Sequence, residues 1–164
     1  MNAIFTRTSV RQFEEREVER EKLDKILRAA MASPSATNQQ PWEFCVVTDP
    51  ELRAKLGKVT PYSTPAANAP VSIVVCYRTE GLRVPEMAHI DCAIATENIW
   101  LECEELGLGG VMIGVAPFQE QTDRLAQILK LPPTLMPFTI FALGYPKKKS
   151  PQKDRFDETR VHFY

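Results

Sequence analysis

Two arginines and a serine lie close together near the start of the chain, in the run Arg7-Thr8-Ser9-Val10-Arg11. Guanidinium forks and hydroxyls are the donors that a phosphate or another anion needs, because charge-assisted hydrogen bonds to anions are short and strong. Taken alone, the two arginines could equally be solvated surface charges. The spacing nevertheless favours an anion site at this segment.

A second polar segment covers residues 33–42, where small hydroxyl and amide side chains lie between Pro34 and Pro41. Such a composition suits a rigid loop that faces a ligand better than a flexible linker. Alone, the segment could also be a simple turn between a helix and a strand, and Trp42 is expected in the core. Together the two segments predict a bound cofactor that is planar and phosphorylated and that does the chemistry.

The composition is that of an ordinary globular domain with a real core: 164 residues, 44% hydrophobic and 25% charged. The formal net charge of -1 argues against a nucleic-acid partner, which would favour a basic surface. No apolar stretch approaches the roughly 20 residues of a membrane helix. The N-terminus has no basic region followed by an apolar run, so no signal peptide is expected.

The cysteines, Cys45, Cys76, Cys92 and Cys103, lie in apolar or helical segments without CxxC or metal-ligand spacing. We expect reduced core thiols in a cytoplasmic protein, rather than a disulfide or a metal site.

Helical and strand patterns alternate along the chain. The predicted helices span residues 23–31, 50–56, 89–106 and 118–129, and the predicted strands span 43–48, 71–77, 109–114 and 138–143. Asp49 and Pro50 are expected to begin the second helix as N-cap and first helical residue. The helix over 89–106 is apolar nearly all round, which places it at the centre of the domain or against a partner subunit.

The usual catalytic signatures are missing from the sequence. There is no GxSxG elbow, no HExxH and no Walker loop, and the glycines at 107–110 lack the GxGxxG spacing. His89 and His162 lie far apart and are expected at the surface or at helix ends. The pattern therefore favours a reaction performed by a bound cofactor.

A series of blocks resembles, in order, the signatures of the flavin-dependent nitroreductase family. They lie at residues 7–13, 34–42, 91–98, 106–110, 113–114, 143–146 and 153–155. One block alone would be weak, but their order over nearly the whole chain is specific.

The resemblance implies flavin mononucleotide (FMN) held at a homodimer interface. Arg7 and Ser9 would hold its phosphate, with Arg155 and Lys153 approaching from the tail, and Thr8 between them would also belong to the cofactor-binding residues. Arg11 would lie nearer the pyrimidine end, where a positive charge favours the reduced, anionic ring.

Two further parts of the cofactor site are implied by the same resemblance. The flavin of the other subunit would be contacted by Pro34, Ser35, Ala36, Thr37 and Asn38, which makes the dimer necessary for a complete site. The backbone N–H groups around Gly114 and Val115 would face the flavin N5, since glycine lets the backbone approach a ligand closely.

The resemblance also implies an α+β fold, a mixed central sheet flanked by helices, in one domain over residues 1–164. The central helix would pack on its symmetry mate in an isologous dimer. Residues 147–164 would form a tail that exchanges onto the partner and buries Phe156, Phe163 and Tyr164, while Lys147, Lys148 and Lys149 remain solvated.

The implied activity is transfer of a hydride from NADH or NADPH to FMN and then to a small electron-poor acceptor, a nitroaromatic or a quinone, by a ping-pong mechanism. Reductive dehalogenation, reduction of activated double bonds, flavin fragmentation and a non-catalytic flavin-binding role remain as alternatives. The short segment 78–87 leaves no extended lid, so the acceptor and the preferred nicotinamide stay open. Tyr62 and its neighbours in residues 59–68 are expected to border the pocket, although no family motif supports this.

Overall fold

The architecture comes from a computed structural model that describes residues 2–149 and 151–164. Met1 and Ser150, which belong to the predicted domain and tail, lie outside the described residues. The described chain forms helices α1 (Ala3–Thr6), α2 (Arg20–Met31), α3 (Pro50–Leu56), α4 (Thr64–Asn68), α5 (Ala88–Glu105) and α6 (Gln119–Leu129), and strands β1 (Trp42–Val47), β2 (Val71–Arg78), β3 (Gly109–Gly114) and β4 (Leu135–Gly144). Short 3-10 turns cover Ala36–Asn38, Pro85–Met87 and Glu158–Arg160.

The four strands form one sheet in the order β1-β2-β4-β3, and all neighbouring strands are antiparallel. The parallel pairing found among the described residues is an isolated bridge between Ser9 and Gly110. The α+β class is therefore confirmed, but the mixed character of the sheet is limited to that bridge. Alternating helices and strands usually indicate parallel pairs, whereas here the helical connections return the chain antiparallel to its neighbour.

Helices cover both faces of the sheet. Because successive side chains of a strand point to opposite faces, Val74 and Ile73 enter different core clusters. Val74 packs in a cluster with Leu125 of α6, and Ile73 packs in a cluster with Ile99 of α5. The continuous apolar run of β2 is thus buried on both sides, as its sequence predicts.

Helix α5 lies against the sheet and against α2. Its buried side chains are Ala88, Asp91, Cys92, Ala95, Thr96, Ile99, Cys103 and Glu104. Ile90 is half exposed and Glu97 is exposed, so one side of the helix remains uncovered in the single chain. The helix is therefore central to the domain, and its packing on a partner stays a prediction.

The predicted ends of two helices are supported by their capping contacts. The Asp49 carboxylate accepts a hydrogen bond from the backbone N–H of Leu52 at 2.7 Å, and Pro50 occupies the first helical position. After α5 the chain turns at Gly107, whose φ of 73° lies in the left-handed region that suits glycine.

Candidate functional site

The arginine-bearing segment lies along the edge strand of the sheet. Short helix α1 leads into Arg7, and the backbone N–H of Val10 then donates to the carbonyl of Gly110 at 2.9 Å. A Cβ on Gly109 would lie 2.5 Å from Val10 Cγ2, so this close approach requires glycine. Strand β3 therefore fixes the position of the residues that the sequence assigns to the phosphate.

The Arg7 side chain is largely buried on α5, with 15% of its surface exposed. Its Cζ lies 4.1 Å from the centroid of the Trp100 ring, and its Nε lies 3.7 Å from Glu97 Oε1. A guanidinium at this distance from an indole ring is held by cation–π attraction.

Three buried polar atoms in this neighbourhood have no hydrogen-bond partner among the described residues: Arg7 Nη1, Thr8 Oγ1 and Trp100 Nε1. An unsatisfied buried donor costs about 1–3 kcal/mol. An anionic group that accepted a hydrogen bond from any of these atoms would remove that atom's penalty, which is compatible with a phosphate bound at this segment.

Arg11 and Gly114 line one cavity of about 550 Å³ beside β3. A Cβ at Gly114 would meet no atom within 4 Å, which leaves the backbone there open to a ligand. Val115 follows with a fully buried side chain, so its backbone is the part that could face a ligand. The structure thus brings Arg11 to the β3 segment that the family resemblance places near flavin N5.

Other polar residues of this cavity fall in residues 59–68, which the sequence analysis expected beside the pocket, or, for Gln12, in the block 7–13. Asn68 and Thr64 of α4 and Gln12 belong to its lining, and they add amide and hydroxyl groups. Helix α4 is too short to produce a periodic pattern. The sequence signal that could have located it is the N-cap position at Ser63, followed by Pro65 in the first turn. Tyr62 also lines the cavity with 81% of its surface exposed, as the sequence analysis expected.

The second polar loop is held by α5. The Asp91 carboxylate, 1% exposed, accepts hydrogen bonds from Ala36 N–H at 2.9 Å and from Gln39 Nε2 at 2.7 Å. The Asn98 amide donates to Ser33 Oγ at 2.8 Å. Pro34, Thr37 and Asn38 are exposed, while Ser35 and Ala36 are half buried.

This loop does not reach the cavity beside Arg11 within one chain. The cavity lining, taken over the described residues, includes none of residues 34–38. A single chain therefore brings Arg11 and Gly114 together but leaves the loop elsewhere on its surface.

The tail contacts the other end of the arginine-bearing segment. Lys153 and Arg155 line a cavity of about 540 Å³ with Ile4 and Phe5 of α1, and Gln152 Nε2 donates to the Ile4 carbonyl at 3.0 Å. Arg7 follows α1 directly in the chain but is not among the residues that line this cavity. The tail cations thus lie next to α1 rather than on the cavity of Arg11.

One expectation for the tail is wrong. Lys149 is not simply solvated, because its Nζ lies 2.8 Å from Oε1 of Glu104, which is 4% exposed. A buried carboxylate needs a partner, and this ion pair fixes the start of the tail to the end of α5. Lys147 and Lys148 are exposed as expected, and the exchange of the tail onto a partner stays a prediction.

The cysteines are free thiols, three of them buried in the core. Burial raises the pKa of Cys103 above its ordinary value, whereas a hydrogen bond from Cys76 lowers the pKa of half-buried Cys45 to about 7. Within residues 2–149 and 151–164, no three metal-binding side chains converge. Over the same residues, no helix is both long enough and apolar enough to cross a membrane.

The geometry defines a class of protein: an α+β domain with a cavity of mixed polar and apolar lining beside an edge strand, and with buried donors that have no acceptor among the described residues. The sequence model of the Nitroreductase family matches residues 4–64 and 58–145. The chain belongs to that family, and the resemblance found in its sequence blocks is confirmed.

Known relatives cover nearly the whole chain. A Methanothermobacter thermautotrophicus protein, whose name pairs NADH dehydrogenase with NAD(P)H nitroreductase, is 40% identical over 99% of this chain and 85% of its own. The crystal structure of a Clostridium acetobutylicum protein described as an NADH oxidase has a TM-score of 0.95 and 40% identity, covering 98% of this chain and 97% of that one. An FMN-dependent nitroreductase of Clostridium difficile has a TM-score of 0.92 and 31% identity, with 99% and 97% covered.

Proposed function

We propose that this protein is an FMN-dependent oxidoreductase that takes a hydride from NADH or NADPH and passes electrons to an electron-poor acceptor such as a nitroaromatic or a quinone. The class, NAD(P)H-dependent flavin oxidoreductase, is supported by family membership and by the names of its relatives. The observation that carries the cofactor site is the cluster of buried donors at Arg7, Thr8 and Trp100 that lack an acceptor.

Bound FMN supplies the hydride chemistry that protein side chains lack. The residues of this chain then bind and orient it. Arg7, Thr8 and Ser9 hold the phosphate, where several charge-assisted donors are needed for a dianion, and Lys153 and Arg155 contribute from the tail.

The cavity beside β3 receives the ring. Arg11 would stabilise negative charge on the bound ring, and the open backbone at Gly114 and Val115 would offer N–H groups to it. Asn68 and Thr64 add polar contacts on the same cavity. Tyr62 lies on its rim, where its exposed ring is placed to meet an aromatic acceptor.

A homodimer completes this site. Residues 34–38 lie outside the cavity of their own chain, and α5 holds them with their outer side chains exposed. A second copy would bring this loop to the flavin. The crossing of the tail to the partner would cover Phe156 and Phe163, which are 74% and 94% exposed in one chain. A cytoplasmic location stays a prediction.

Purification tests this proposal directly. The protein should be yellow, its flavin absorbance should bleach under anaerobic conditions when NADH or NADPH is added, and a nitroaromatic or quinone should restore the colour. Steady-state rates should give the parallel double-reciprocal lines of a ping-pong mechanism. A colourless protein that cannot be reconstituted with FMN would contradict the proposal, and bound flavin that neither nicotinamide reduces would favour a non-catalytic role.

An acceptor panel separates the other flavin reactions. Halogenated aromatics and activated alkenes assayed beside nitroaromatics and quinones would show whether dehalogenation or double-bond reduction is the faster reaction. The proposal expects the nitro and quinone compounds to have the highest kcat/KM.

A further inference from the structure

We propose that Trp100 is a positioning residue that gives the cofactor site its preference for a phosphorylated flavin, because it holds the Arg7 guanidinium in place. This inference rests on the proposed function. Trp100 lies outside the sequence blocks that resemble the family, and no sequence pattern pointed to it.

The contact between the two side chains is direct. The Arg7 Cζ lies 4.1 Å from the indole centroid, well inside the range of cation–π attraction. Glu97, one turn earlier on α5, approaches the Nε at 3.7 Å. These two contacts occupy the face and one nitrogen of the guanidinium and leave Nη1 without a partner among the described residues.

The indole ring is itself fixed from behind. Its centroid lies 5.6 Å from that of Phe141, with the planes at 72°, an edge-to-face arrangement. Phe141 is fully buried, and a Cβ on Gly110 would lie 2.5 Å from its Cε1, so Phe141 is itself closely packed. The ring therefore cannot withdraw from Arg7 without disturbing the core.

The polar edge of the ring supports the same conclusion. Trp100 Nε1 is a donor only, and it is buried with no partner in residues 2–149 and 151–164, like Thr8 Oγ1 and Arg7 Nη1. A core tryptophan usually satisfies its N–H, so this cluster is costly until an acceptor-rich group arrives. Trp100 thus stabilises an arrangement of donors whose natural complement is an anion.

Riboflavin provides the test, because it has the isoalloxazine ring without the phosphate. Dissociation constants for FMN and riboflavin would be measured by flavin fluorescence on flavin-free wild type, Trp100→Leu and Trp100→Phe. We expect Trp100→Leu to weaken FMN binding by about tenfold and to leave riboflavin binding nearly unchanged. Trp100→Phe, which keeps an aromatic face, should restore most of the preference.

The chain offers a matched control in its other tryptophan. Trp42 of β1 is buried in the core, so Trp42→Phe should lower stability without changing the ratio of the two dissociation constants. Should Trp100→Leu fail to fold, Trp100→Met keeps a large, adaptable apolar side chain without the aromatic face and should show the same loss of FMN preference.

The outcomes separate the two proposals. An unchanged FMN preference in Trp100→Leu or Trp100→Met, or an equal loss of both ligands, would overturn the role of Trp100. A wild-type protein that binds riboflavin as tightly as FMN would instead overturn the phosphate site on which that role depends.

Discussion

Two arginines in this protein stack on aromatic rings, and their surroundings differ in one respect. Arg7 lies over Trp100 at 4.1 Å with Glu97 beside it, and Arg16 lies over Tyr145 at 3.7 Å with Glu19 at 3.0 Å. Each pair thus combines a guanidinium, a ring and a carboxylate.

At Tyr145 the polar groups satisfy each other. The Tyr145 hydroxyl donates to Glu19 Oε2 at 2.7 Å and accepts from Lys22 Nζ at 2.8 Å, and Lys22 also donates to the Leu106 carbonyl at 2.9 Å. The buried donors without partners among the described residues lie instead at Arg7, Thr8 and Trp100. The comparison indicates that the Tyr145 cluster stabilises the fold, whereas the group at Arg7 and Trp100 keeps donors without partners among the described residues.

The largest effect is expected at Arg7. Arg7→Ala should weaken FMN binding by about 1.5–3 kcal/mol, the range for hydrogen bonds to charged groups, which is on the order of 10- to 100-fold. Arg16→Ala removes an equivalent stacked guanidinium and should leave the FMN dissociation constant unchanged. Fluorescence titration of the two flavin-free variants measures both values.

The opposite pattern would break the comparison. If Arg7→Ala bound FMN like the wild type, the unpartnered donors would have no connection to the cofactor. If Arg16→Ala lost FMN as strongly, the donors without partners near Arg7 would not explain cofactor binding, because the Arg16 region has none in the described chain.

A smaller effect, on stability rather than binding, is expected at Tyr145. Tyr145→Phe keeps the ring under Arg16 but removes the hydroxyl that links Glu19 to Lys22. The loss of about 1 kcal/mol should lower the melting temperature by about 2–4 °C in a chain of this size. FMN affinity should not change, and a loss of flavin without a change in melting temperature would contradict the structural role given to this cluster.

The sequence predicts elements well where composition and periodicity agree. The glycine-bounded run 109–114 gives the limits of β3 as observed, and the central helix differs by one residue at each end. Strand β4 begins at Leu135, three residues before the predicted start. The prediction began after Pro137 because proline is unusual inside a strand. The structure accommodates this proline opposite Cys76, where the register of β2 shifts.

The site divides in the same way. Arg7, Arg11 and the loop 34–38 could be named because their residue types carry the chemistry and resemble family signatures. Trp100 could not, because its contacts join elements far apart in sequence. Tyr145 lies in the block 143–146, but its structural role could not be inferred for the same reason. The ligand-binding groups are readable locally, whereas the groups that hold them in place depend on the tertiary structure.

The smallest effect should appear at Glu19 in acid. The Tyr145 hydrogen bond is the main cause that lowers the pKa of Glu19 from 4.5 to about 2. A depressed folded-state pKa stabilises the protein above the unfolded value, and this contribution is lost as the pH falls toward 2. Glu19→Gln should therefore be less stable than the wild type near neutral pH, with a difference that shrinks between about pH 4.5 and pH 2.

Chemical denaturation at a series of pH values measures this difference. Glu17→Gln is the matched control, since it removes an exposed carboxylate of the same segment that does not contact Tyr145 in the structure. In the Tyr145→Phe background the pH dependence due to Glu19 should largely disappear, because the hydroxyl is its main cause. If the difference in unfolding free energy between wild type and Glu19→Gln stayed constant down to pH 2, the Tyr145 hydroxyl would not be what stabilises the Glu19 carboxylate. The Tyr145 cluster could then no longer serve as the hydrogen-bonded counterpart of the Arg7 region.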